Sequence, residues 1–169
     1  VSLTLAFPTA YSLEFTFETV SPYGRPLVPP DGRQLEMLFM RGEFLQGDTD
    51  KLVTLAAENP HRFVRASALI GLSSAGGNFR EAAQVSEFIK SLRSQVIVHA
   101  RVGPCVSACF LVVAAAVSRD IEDGEVGLHR PYLEKRYLER MSLADAERVQ
   151  NETYAQARRF LEWQGVPRY

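Results

Sequence analysis

The sequence predicts an α/β fold. Three observations carry this: period-two alternation near the N-terminus, amphipathic stretches with helical period, and short apolar runs that separate them. Residues 12–20 (SLEFTFETV) set Leu13, Phe15 and Phe17 against Glu14, Thr16 and Glu18, as in a half-buried strand. Pro22, Gly24, Pro26, Pro29, Pro30 and Gly32 then break any regular element. Residues 1–34 therefore read as an N-terminal strand with a Pro/Gly-rich arm, and residues 35–169 as the α/β domain.

Residues 35–40 read as a strand. Residues 48–59 read as a helix, with Asp48 or Thr49 as N-cap and Asn59-Pro60 as the stop. Leu52, Val53, Leu55 and Ala56 form its apolar face. Residues 68–72 are a short apolar strand. Residues 79–92 form an amphipathic helix, with Phe79, Ala82, Ala83, Val85, Phe88, Ile89 and Leu92 on one side. A strand at 96–100 follows. Residues 107–117 (SACFLVVAAAV) are apolar all round, and their length and alanine content favour a buried helix. Residues 127–129 make a last short strand. Residues 142–163 make a long helix, with Ser142 as N-cap and Asp145 at the capping-box position. This alternation of strand and helix implies parallel crossovers.

The chain has 169 residues, 46% hydrophobic and 23% charged, which suits one domain whose core folds without a metal or disulfide. Its 19 basic and 20 acidic residues argue against a nucleic-acid partner. No apolar run reaches bilayer length, so no membrane span is expected. Two cysteines are too few for a structural zinc site, and no metal or cofactor is expected. Residues 1–7 (VSLTLAF) read as a strand in preference to the tail of a secretory signal ending near Ala10.

Four features have chemical potential. Residues 73–78 (SSAGGN) place paired glycines between a strand and a helix, where backbone N–H groups bind an oxyanion or a phosphate. Neither nucleotide-binding glycine motif is present, and a plain tight turn is the simpler reading. Residues 103–109 (GPCVSAC) place Ser107 at the start of an apolar helix, as nucleophile or as N-cap. The lipase-type G-x-S-x-G elbow is absent. His129, in VGLHRP (126–131), ends a strand as a general base or as a structural histidine. His61 and His99 are weaker candidates, the first beyond a helix stop and the second inside a strand. Cys105 and Cys109 bracket Ser107 at a spacing of four. An oxidising compartment lets them bridge, and a reducing one leaves two small buried thiols.

The order of these segments is informative. MLFMRGEF (37–44), LAAENP (55–60), LSSAGGNF (72–79), GPCVSACFLVVAA (103–115) and GLHRP (127–131) resemble the ClpP/crotonase superfamily, most closely ClpP-like serine peptidases. The resemblance covers roughly residues 35–165. It implies a βαβ spiral with a mostly parallel sheet and a long C-terminal helix. It makes Ser107 the nucleophile, His129 the general base, and the N–H groups of Gly76 and Ala108 the oxyanion hole. It also implies a peptide substrate and a homo-oligomer: a trimer, a hexamer or a larger ring. The 142–163 helix carries Val149, Phe160, Leu161 and Trp163, which suit either a subunit contact or an intramolecular one. Its charged residues Arg148, Glu152, Arg158, Arg159 and Glu162 read as a solvated face.

The chain departs from the family pattern at Ala75, where the family has Pro, and at Ala108-Cys109, where it has Met-Gly. No acid matches the family position; Asp120, Glu122, Asp123 and Glu125 are the nearest to His129 in sequence. The C-S-A-C and H-R-P variants resemble an exported bacterial branch, which implies a periplasmic or otherwise exported address, with a cytoplasmic one as alternative. Two other functions stay open. A crotonase-like acyl-CoA enzyme keeps the oxyanion hole and gives Ser107 no special role, and a non-catalytic scaffold keeps only the fold.

Overall fold

The computed structural model describes residues 11–20, 35–99, 102–121, 123–130, 132 and 138–167. The 1–7 strand, the Pro/Gly-rich run 22–32, Ala100, Glu122 and Pro131 lie outside the described residues. The strands are β1 (Glu14–Val20), β2 (Leu35–Arg41), β3 (Leu69–Ser73), β4 (Gln95–Ile97), β5 (Cys105–Val106), β6 (Ser118–Asp120) and β7 (Val126–Gly127). The helices are α1 (Asp48–Glu58), α2 (Pro60–Ala66), α3 (Phe79–Ser91), α4 (Phe110–Ala115) and α5 (Leu143–Trp163). Five strands share one sheet in the order β1-β2-β3-β4-β6, and β5 pairs with β7 apart from it. β1 runs antiparallel to β2, and every other pairing is parallel. The protein is thus α/β with a mostly parallel mixed sheet and a long C-terminal helix.

Alternation along each strand decides what the sheet buries. Leu38, Ile70 and Val96 are in register across β2, β3 and β4, and all three are fully buried. Met40 and Leu72 form the next row. Ala82, Val85 and Ile89 of α3, Leu52 of α1, Phe63 of α2 and Val112 of α4 belong to the same core. Leu13, Phe15 and Phe17 join it too, so the N-terminal strand is part of the sheet. Gly71 lies opposite Phe39, and a Cβ on it would come within 2.5 Å of the Phe39 ring. The bare backbone there lets the ring lie across the neighbouring strand.

Several elements differ from expectation. The 48–59 helix stops at Asn59-Pro60 as expected, but a second helix, α2, starts at once. Pro60 stands at the first turn of α2, where its missing N–H is no loss. His61 therefore sits within α2, while His99 lies past the end of β4. The 107–117 segment is a 3₁₀ turn at Ser107–Cys109 followed by α4, and the chain then enters β6. α5 begins as expected: the Ser142 hydroxyl oxygen accepts from the Asp145 N–H at 3.1 Å. Its far end docks on α3, where Lys90 donates to Gln164 at 2.7 Å and Gln164 donates to Glu87 at 3.2 Å.

Neither Asp48 nor Thr49 is the N-cap of α1. The cap position is Gly47, with φ +94 and no side-chain bond. The cap comes from α3 instead, as the Glu81 carboxylate accepts from Gly47 N and Thr49 N, both at 3.1 Å. Asp48 turns inward and is fully buried. Its carboxylate accepts from Ser12 Oγ at 2.5 Å, Leu45 N at 2.7 Å, Lys51 Nζ at 2.9 Å and Leu13 N at 3.3 Å. It thereby ties the chain before β1 to the start of α1.

Burial pushes the Asp48 carboxyl up, but the bonds from Ser12, Leu45, Lys51 and Leu13 outweigh that and hold it below the usual Asp range. A lowered folded value contributes stability above the unfolded value of about 3.9, and that contribution is lost as pH falls through the folded value. Asp48→Asn is expected to lose about 2–3 kcal/mol at pH 7, because buried donors lose a charged acceptor. Urea unfolding at pH 7 and at pH 3 checks this. The gap between wild type and variant should narrow at the lower pH.

Candidate active site

The site is built where β3 ends. Gly76 and Gly77 follow with φ of +103 and +121 and lead into α3. The Asn78 side chain caps that helix, accepting from Arg80 N at 2.9 Å and Glu81 N at 3.2 Å. The turn is fixed on both sides. Phe44 N donates to the Gly76 carbonyl at 2.8 Å, and Asn78 N donates to the Phe44 carbonyl at 2.7 Å. Ser74 N donates to the Pro104 carbonyl at 2.8 Å, and Val106 N donates to the Ser74 carbonyl at 3.0 Å. This second pair of bonds ties the glycine turn to the strand that precedes Ser107.

Ser107 follows β5 directly and has φ +59. A left-handed conformation costs a non-glycine residue roughly 1–2 kcal/mol, so the surroundings must enforce it. The residue in the N-cap position of the 3₁₀ turn is Val106, and no side chain caps it. Ser107 is therefore not an N-cap, and its half-buried side chain is left to face Gly76. A Cβ on Gly76 would stand 2.5 Å from Ser107 Cβ and 2.9 Å from its Oγ. Only glycine leaves room for the serine there.

β5 and β7 run parallel, with Cys105 opposite Val126 and Val106 opposite Gly127. Adjacent strands lie about 4.8 Å apart. Ser107 is one residue past the end of β5 and His129 two past the end of β7, so both emerge at the same edge. His129 is exposed, and its Nδ1 lies 2.8 Å from the Arg130 carbonyl oxygen. A carbonyl only accepts, so Nδ1 carries the hydrogen and the neutral ring keeps its lone pair on Nε2. Among the described residues, no hydrogen bond joins His129 to Ser107 and none joins it to a carboxylate. The Arg130 carbonyl is thus the partner of Nδ1 among the described residues.

The two expected oxyanion donors differ. The Gly76 N–H donates to Ser74 Oγ at 3.0 Å and so points inward. Ala108 lies in the first turn of the helical segment 107–115, where amides have no acceptor within the helix. Cys105 and Cys109 form a disulfide with an S–S distance of 2.05 Å and a Cα separation of 5.3 Å, and both residues are fully buried. Cys105 is reached at this spacing because it lies in a strand rather than in the helix. Among the described residues, no group of three His, Cys, Asp or Glu side chains could hold a metal, and no helix is long and apolar enough to cross a membrane. The roles of Ser74 and of the Arg130 carbonyl were not anticipated. The serine doublet before Ala75 was the only sequence signal for the first, and a backbone carbonyl gives none.

No family model, no curated protein and no solved structure matches the chain.

Proposed function

We propose that the chain is a ClpP-like serine hydrolase of the βαβ-spiral type that cleaves peptides. The observation that carries the reading is the left-handed turn at Ser107, which sets a serine with no cap bond against bare Gly76. Arg93 and Asp123 also have positive φ, but only Ser107 brings a hydroxyl against the glycine turn, and strained backbone of this kind concentrates at active sites. In this mechanism Ser107 Oγ attacks the peptide carbonyl, and His129 Nε2 takes the hydroxyl proton. The Ala108 N–H stabilises the tetrahedral oxyanion, joined by the Gly76 N–H once substrate draws it from Ser74. His129 then returns the proton to the leaving amine. Water repeats the sequence and frees Ser107. The disulfide supports an exported address for this hydrolase, because such bonds persist in oxidising compartments.

A specific observation favours a second reading, a non-catalytic scaffold. Ser107 and His129 share no hydrogen bond, and Ser74 holds the Gly76 amide. Catalytic bonds commonly tighten only when substrate binds, which ranks this reading second. Incubation with a fluorophosphonate probe separates the two, with intact mass followed by peptide mapping. One adduct, located on Ser107, is the expected result. An unlabelled protein after prolonged exposure overturns the hydrolase and leaves the scaffold.

A further inference from the structure

We propose that the Cys105–Cys109 disulfide is the positioning element that holds Ser107 in its left-handed turn. The geometry of the chain is the first argument. Residues four apart span about 13 Å along a strand and about 6 Å along a helix. Cys105 is in a strand, yet its Cα lies only 5.3 Å from that of Cys109. The chain must therefore reverse sharply between them, and Ser107 is the residue with positive φ.

Both ends of this reversal are anchored. Cys105 N donates to the Glu125 carbonyl at 2.8 Å, and Cys105 pairs with Val126 in β7. Cys109 is buried in the core immediately before α4. The sulfur bridge joins these two fixed points across three residues. No side-chain cap bond restrains the turn, and the backbone bond from Val106 N to the Ser74 carbonyl holds the chain only up to the residue before Ser107. Loop closure supplies the second argument. Disulfide stabilisation of the whole fold grows with loop length, so a bridge across four positions acts mainly on what lies inside it.

The effect on the backbone stands alone, while the effect on reactivity rests on the proposed hydrolase reading. The test compares wild type with Cys105→Ala/Cys109→Ala, using two readouts. A residue with positive φ brings its amide hydrogen close to its own Hα, so Ser107 in labelled wild-type protein gives a strong intraresidue cross-peak by NMR. The variant is expected to show this peak weakened several-fold, to the strength of a negative-φ residue, and to label with the fluorophosphonate about 100-fold more slowly. Retention of the full-strength peak in the variant overturns the proposal, whatever the labelling rate. Should wild type show the peak and fail to label, the hydrolase reading falls and the peak alone decides the positioning role. If the double alanine variant does not fold, Cys105→Val/Cys109→Ala fills the space left by the first sulfur and takes its place in both measurements.

Discussion

Ser107→Ala is expected to lower peptide hydrolysis by about 10⁴-fold or more while leaving the thermal midpoint within a few degrees of wild type. A factor of 10⁴ is about 5.5 kcal/mol of transition-state stabilisation, the scale on which removal of a nucleophile acts. The residual rate would come from the oxyanion donor and from substrate binding, which the alanine leaves intact. Stability should change little for two reasons. No cap bond depends on the hydroxyl, so its loss orphans no helix amide. Alanine meets the same left-handed conformation that serine already adopts. Steady-state rates on a panel of peptides and esters, with calorimetry alongside, check both halves. Equal rates for variant and wild type would remove Ser107 from the mechanism.

Gly76→Ala should damage the fold and the site together. Gly76 has φ +103, a conformation side chains rarely adopt. The new Cβ would also stand 2.5 Å from Ser107 Cβ, 2.9 Å from its Oγ and 3.0 Å from the Val106 carbonyl oxygen. The backbone cannot easily retreat, since Phe44 holds the Gly76 carbonyl and Ser74 holds its N–H. Strain of roughly 1–3 kcal/mol and overpacking of a similar size give an expected loss of about 3 kcal/mol. For a chain of this length that is about 6–12 °C in thermal midpoint. Ser107 must shift, and labelling by the probe should fall about 100-fold.

Gly47→Ala is the control, because Gly47 has φ +94 but no atom within 4 Å of the added Cβ. It should show the strain alone, roughly 1–2 kcal/mol, with labelling unchanged. Chemical denaturation and labelling rates on both variants decide whether contact with Ser107 or backbone strain is responsible.

The difference between these glycines marks the limit of what the sequence discloses. Both are glycine in a polar turn, and only the chain arriving from residue 104 gives Gly76 its neighbour. Long periodic elements were legible. The α3 face, the alternation in β1 and the Ser142 cap each depend on residues a few positions apart. β5 and β7 have two residues each, and β6 has three, too few for any period to show. α2 escaped notice because a proline that ends one helix equally suits the first turn of the next. The cap of α1 comes from Glu81, more than thirty positions away, as the 32- and 34-residue separations of its bonds show. At the site, the order of the serine, glycine and histidine segments was legible. The left-handed turn at Ser107 was not, since the same serine satisfies the rule for an N-cap.

The sealing of Cys105 and Cys109 in the core has a consequence in time. A reductant dissolved around the folded protein meets neither sulfur, so the bond can change state only when this part of the chain opens. Oxidation is settled while the chain is folding and is then kept. A molecule carried afterwards into a compartment of different redox potential retains the bridge for as long as this part of the chain stays closed. The turn around Ser107 is in that sense a record of where the chain folded, and not a gauge of where it now resides.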